Sequence, residues 1–148
     1  MKIRPAKEAD LPSIIQLCKA HADFEKGSYS PEGKEEPLRK VLFSNEPLLY
    51  CLVVEDGEDI VGYATYMKQY STWQAEHYIY LDCLYLKEEA RGFGTGEEIM
   101  ERIKDEAKKM GCSLIQWQTP DFNTRAIKFY KRIGGYSKSK ERFHLDLE

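Results

Sequence analysis

The stretch from His77 to Leu86, "HYIYLDCLYL", is nearly continuous in apolar and aromatic residues, and "KEEARGFGTG" follows it directly. Beyond that turn, Ile99, Ile103, Ala107 and Met110 recur at helical spacing, so a helix runs from about Thr95 to Met110, with Gly111 at its C-terminal end. A strand this apolar is expected to lie centrally in a sheet, covered on both faces. A glycine-rich turn between such a strand and a helix presents free backbone N–H groups to an anion. Gly92, Gly94 and Gly96 keep side chains out of a ligand's way, and Arg91 adds charge beside them. The feature demands a mixed domain with a pyrophosphate-type site at a strand-to-helix turn.

Spacing removes two nucleotide readings. A Walker A loop ends in Gly-Lys-Ser/Thr, whereas Glu97 and Glu98 follow Gly96 here. A dinucleotide fingerprint is G-x-G-x-x-G after the first strand of a βαβ unit, but these glycines come late, behind an antiparallel meander. What is left is R-x-x-G-x-G, carried by Arg91, Gly94 and Gly96.

The rest of the chain supplies the remaining elements. "MKIRPA" reads as a first strand, and Asp10 as the cap of a helix striped by Leu11, Ile14, Ile15 and Cys18. "HADFEKGSYSPEGKEEP" reads as a loop, or a loop with a frayed helix end, and "LRKVLFS" as a short helix. "LLYCLVVED" and "IVGYATYMKQY" form a hairpin around "GED", and "STWQAE" loops into the apolar strand. "CSLIQWQTP" is a strand, "NTRAIKFYKRIGG" a helix and "RFHLDLE" a final alternating strand. The order β-α-α-β-β-β-α-β-α-β predicts one mixed α/β domain over residues 1–148.

Composition sets the outer bounds. A chain of 148 residues can bury a core without disulfides, and a net charge of −3 argues against general nucleic-acid affinity. The N-terminus carries no apolar leader, and no apolar run reaches the ~18 residues of a membrane span. A cytoplasmic protein with no membrane association is expected. Four scattered cysteines without a C-x-x-C pair, and three histidines, predict reduced thiols and no metal.

R-x-x-G-x-G between a long strand and a helix resembles the acetyl-CoA loop of the GNAT superfamily of N-acetyltransferases. "NTRAIKFYKRIGGY" is similar to that family's N-x-x-A-x-x-F-Y-x-x-x-G-Y/F segment, and the "IRPAKEAD" opening is similar as well. Within the superfamily, "YLDCLYLKEEARGFGTGEEIM", "FYKRIG", "ADFE" and "YSTW" most resemble the spermidine/spermine (diamine) N-acetyltransferase group. The resemblance implies a central, mostly antiparallel twisted sheet of about six to seven strands, flanked by about four helices and splayed at the cofactor site.

It also implies roles. Acetyl-CoA would be held by backbone groups of Leu84, Tyr85 and Leu86, by the loop of Arg91, Gly92, Phe93, Gly94, Thr95, Gly96 and Glu97, and by Asn123 and Ala126. Asn123 serves equally as a simple helix cap. Tyr130 would protonate the departing thiolate, and Asp82 would bind the amine or take its proton, directly or through water. Both also have a structural reading. A carboxylate buried unpaired in so apolar a strand is costly, which favours a function for Asp82. Phe24, Glu25, Trp73, Gln116, Trp117 and Gln118 would line the acceptor site, with Tyr70 at the same mouth. Ser71 and Thr72 stand where the polyamine group carries an acid, leaving other primary amines open. The implied activity is acetyl transfer to a small primary amine by direct attack on the thioester, in a homodimer. Acetylation of proteins and CoA sensing without turnover remain as alternatives.

Overall fold

A computed structural model describes residues 1–148, which form two compact units, 1–118 and 119–148. The first unit contains β1 (Lys2–Pro5), α1 (Leu11–Phe24), α2 (Glu35–Phe43), β2 (Tyr50–Asp56), β3 (Asp59–Ser71), β4 (Glu76–Leu86), α3 (Thr95–Lys109) and β5 (Ile115–Gln116). Its sheet has five strands in the order β1-β2-β3-β4-β5, fewer than the six to seven expected. All neighbours are antiparallel except β4 and β5, which run parallel.

Strand register assigns the two faces. Cys51 opposes Thr65 and Val53 opposes Tyr63, while Tyr63 and Thr65 in turn oppose Tyr85 and Cys83. That face packs against Leu11, Ile14 and Leu17 of α1 and Leu42 of α2. Leu52, Val54, Ala64 and Tyr66 point to the other face and are buried. The apolar stripe of α3, Ile99, Met100, Ile103 and Ala107, is equally buried. Arg102 of α3 donates to the Ile3 carbonyl of β1 at 3.1 Å, tying helix to sheet. Each fully buried aliphatic side chain stabilises the fold by about 1.5–3 kcal/mol.

Two strand irregularities shape the site. Gly62 lies where β3 and β4 approach closely: a Cβ there would meet the Leu86 side chain and, at 3.0 Å, the Tyr85 carbonyl. Along the same pair, Thr65 opposes Cys83 but Tyr66 opposes Leu81, so Asp82 is an extra residue, a β-bulge. The bulge corrects the expectation of a doubly covered strand. Ile79 and Leu81 are buried, but Asp82 is exposed and Cys83 to Leu86 are half-buried. The Asp82 carboxylate therefore reaches solvent, and its function cannot be argued from the penalty of burial.

Other boundaries shift for local reasons. α1 continues as regular helix through His21 to Phe24, where a loop or a frayed helix end was expected. The Asp10 side chain caps no helix N–H of α1. It accepts instead from Arg4, at 2.7 and 3.0 Å, and from the Lys7 amide at 2.8 Å.

The second unit holds α4 (Thr124–Arg132) and a tail without helix or strand. The expected strand "RFHLDLE" is absent. Phe143, Leu145 and Leu147 lie about 90 % exposed, because alternation makes a strand only where another edge pairs with it.

Candidate active site

The site begins where β4 and β5 part. Only Ile79–Ile115 and Tyr80–Gln116 pair, and the Gln118 amide then donates to the Tyr80 hydroxyl. Trp117 is half-buried between the exposed Gln116 and Gln118. From Leu81 to Leu86, β4 keeps β3 on one edge and has no strand on the other. Main-chain groups along Leu84, Tyr85 and Leu86 thus form an edge that an extended ligand can join as a strand would. The Leu86 carbonyl accepts from Arg91 Nε at 2.9 Å.

This edge leads into the glycine turn. Gly92 and Gly94 have φ of +88° and +78°, the left-handed region that side-chain-bearing residues avoid. A Cβ at either would meet no atom within 4 Å, so conformation, not space, demands glycine. Gly94 stands at the N-cap of α3 without a side-chain cap, and the first helical bond runs from Glu98 N–H to the Gly94 carbonyl at 3.1 Å. The amides of Thr95, Gly96 and Glu97 precede that bond and stand at the positive end of the helix dipole. The Phe93 side chain is exposed and Thr95 is buried. Arg91 is folded back, its guanidinium 4.7 Å from the Phe24 ring and 5.6 Å from that of Tyr85.

Arg91 thereby joins the turn to a group missed by sequence reasoning. His21 Nδ1 lies 2.8 Å from the Tyr63 hydroxyl, and its Nε2 lies 2.9 Å from Glu25 Oε2. Its ring stacks on Tyr85, centroids 5.2 Å apart, and Phe24 tilts against the same Tyr85. The signal was available, since His21 and Glu25 are four residues apart and meet once the helix reaches Phe24. Reading "HADF" as a loop or a frayed helix end hid it. Tyr63 is almost wholly buried, and burial pushes its phenol far above the ordinary range, so it is a neutral donor.

Beside Tyr63 lie two thiols. Cys83 Sγ is 3.7 Å from Asp82 Oδ2. Burial first, and then the Asp82 charge, push the Cys83 thiol up to about 12. Burial likewise raises Cys18. Neither carries appreciable thiolate near neutrality, so neither is primed as an acyl-accepting nucleophile. No group of three His, Cys, Asp or Glu side chains is assembled as a metal cage.

Two expected members lie elsewhere. Tyr70 is seven residues beyond Tyr63 on β3, about 23 Å along the strand, and Trp73 lies in the turn that follows. Trp73 is 94 % exposed and Tyr70 stacks edge-on against His77, so the expectation that both share the mouth with Glu25 is corrected by the length of the hairpin. The depression at that end is lined by Ser71, Gln74, Glu76, Tyr78, Leu114 and Gln116.

In the second unit, Asn123 caps α4, its Oδ1 accepting from the Ala126 amide at 3.4 Å. Asn123, Ala126, Ile127 and Tyr130 fall on one helix face and are half-buried, whereas Thr124, Arg125 and Lys128 are exposed. The Tyr130 ring lies 5.2 Å from that of Phe129.

Comparison with known proteins accounts for this combination. Residues 14–136 match the acetyltransferase (GNAT) family, a span that enters both units. Thialysine N-epsilon-acetyltransferase of Bos taurus is 38 % identical over 140 residues, covering 89 % of this chain and 82 % of that protein. The D-amino-acid N-acetyltransferase HPA3 of Saccharomyces cerevisiae is 26 % identical, covering 88 % and 82 %. In fold, the chain is similar to an aminoglycoside acetyltransferase from an uncultured soil sample, with a TM-score of 0.82 at 21 % identity over 99 % of this chain and 96 % of that one. The parted β4 edge, the uncapped α3 turn and these matches lead to one conclusion: the chain belongs to the GNAT acetyltransferase family and is an N-acetyltransferase.

Proposed function

We propose that this enzyme uses acetyl-CoA to acetylate the terminal primary amine of a small, flexible acceptor of lysine-analogue, diamine or polyamine type. The observation that carries the reading is the continuous run from the free β4 edge, Leu81–Leu86, into the uncapped start of α3. The edge suits an extended pantetheine arm, and the left-handed Gly92 and Gly94 with the amides of Thr95 to Glu97 suit a pyrophosphate. The names of the thialysine and D-amino-acid relatives support small amines as acceptors.

Acetyl-CoA supplies the thioester. Asp82, exposed at the bulge, receives the acceptor's ammonium and passes its proton to solvent, directly or through water. Glu25 and Phe24, at the end of α1, offer charge and a ring face to the alkylammonium chain. Tyr130 is the proton donor to the leaving thiolate, and Asn123 and Ala126 are further cofactor contacts, roles that rest on the N-x-x-A-x-x-F-Y motif. With Cys83 held as a thiol, acetyl passes directly from sulfur to nitrogen. We propose a cytoplasmic homodimer of single-domain chains.

The test is CoA thiol release from acetyl-CoA across a panel of diamines, ω-amino acids, monoamines and peptides. Saturable release with small ω-amines supports the reading. Release with peptides alone moves the enzyme to protein acetylation and overturns it.

A further inference from the structure

Glu25 is held in place twice. The end of α1 turns through Lys26, whose φ of 60° lies in the left-handed region, and Gly27 N–H closes the turn on the Ala22 carbonyl at 2.8 Å. A side-chain-bearing residue is disfavoured in the left-handed region, so the surroundings must enforce this ending. The second restraint is His21, whose side chain is 14 % exposed against 35 % for Glu25. A carboxylate only accepts, so the 2.9 Å contact requires a proton on His21 Nε2. In neutral imidazole Nδ1 then accepts, and Tyr63 donates to it at 2.8 Å. The result is a directed chain, Tyr63 O–H to His21 Nδ1 and His21 Nε2–H to Glu25, anchored in the core and ending at the mouth. Stacking on Tyr85 fixes the ring plane of His21 beside the free β4 edge.

We propose that His21 is a specificity-determining positioning residue, which aims the Glu25 carboxylate at a second positive charge on the acceptor, remote from the amine that is acetylated. This rests on the amine-acetylation reading above. Its consequence is discrimination between acceptors of equal length that differ in the distal charge. Without its donor, Glu25 becomes a mobile, solvated side chain, and the distal ammonium loses a fixed partner while the reacting amine keeps Asp82.

The experiment measures kcat and KM for cadaverine and pentylamine with wild-type enzyme, His21→Asn and His21→Gln. An Asn amide stands near the Nδ1 position, satisfying Tyr63 but leaving Glu25 without a donor. A Gln amide stands near Nε2 and retains that donor. We expect wild type to favour cadaverine in kcat/KM and H21N to reduce that preference about tenfold, the weight of one charge-assisted contact, through the KM of cadaverine. H21Q recovers most of the preference, and adding Glu25→Gln to H21N reduces it no further. Equal loss for both acceptors, an unchanged ratio in H21N, or no difference between H21N and H21Q overturns the proposal while amine acetylation stands. Absence of thiol release with any amine in wild type overturns the amine-acetylation reading, and this inference with it.

Discussion

Cys83 stands next to Asp82 on the strand that would face the thioester, and its protonation state decides whether an acyl-enzyme is available. Burial and the neighbouring carboxylate hold it as a thiol, pushed up to about 12. Cys83→Ser is therefore expected to retain activity within about threefold, whereas Tyr130→Phe should lower kcat by about a hundredfold with the KM for acetyl-CoA nearly unchanged. Rapid-quench labelling with radiolabelled acetyl-CoA checks the first statement, and wild-type protein should carry no acetyl group without acceptor. Steady-state kinetics check the second; an unaltered kcat in Y130F removes the proton donor assigned here. Both residues could be singled out from the sequence, Tyr130 by its motif and Cys83 by its strand. Asp82 was singled out by its place on the strand in the family resemblance, and only the added argument from burial fails: the residue is exposed at a bulge, and bulges depend on register between strands, which no single strand encodes.

At the scale of elements, the strand-to-helix turn was the most legible part, because glycine has few other reasons to recur three times before a helix. Gly94→Ala forces a side chain into φ +78° and is expected to destabilise the protein by about 1–2 kcal/mol. It should also raise the KM for acetyl-CoA several-fold with little change in the KM of the amine. A thermal melt and two-substrate kinetics test this, and unchanged acetyl-CoA affinity would separate the turn from the cofactor. Less legible was the end of α1. "HADF" is followed by a polar stretch rich in Gly and Pro, so local propensity favoured a loop, and tertiary packing of His21 on Tyr63 and Tyr85 won instead. The final strand failed for the opposite reason: "RFHLDLE" has a strand's alternation but no neighbouring edge in its own unit. Trp73 was misplaced because hairpin length, not sequence proximity to Tyr70, sets which end of the sheet it occupies.

For the whole molecule, the ion pair of Arg4 with the buried Asp10 joins β1 to the start of α1. The hydrogen bond from Arg4 holds the Asp10 carboxyl below its usual range. A carboxyl depressed in the folded state contributes fully above its unfolded value, about 4, and that contribution is lost as pH falls through the lower folded value. Asp10→Asn should cost about 2 kcal/mol at neutral pH, with the difference from wild type shrinking below about pH 4. Urea denaturation at both pH values measures it, and a pH-independent difference would show that packing, not the ion pair, is responsible. No helix of the molecule is long and apolar enough to cross a membrane.

The proposed binding of acetyl-CoA along the free β4 edge and the α3 turn, with direct attack by a small amine, is checked by thiol release from acetyl-CoA, with initial velocities taken at varied concentrations of both substrates for the best small amine in the panel. Saturable release that requires the amine is expected, with intersecting lines in double-reciprocal plots. Parallel lines together with acetylated enzyme isolated in the absence of amine, or no release with any small amine, would contradict it.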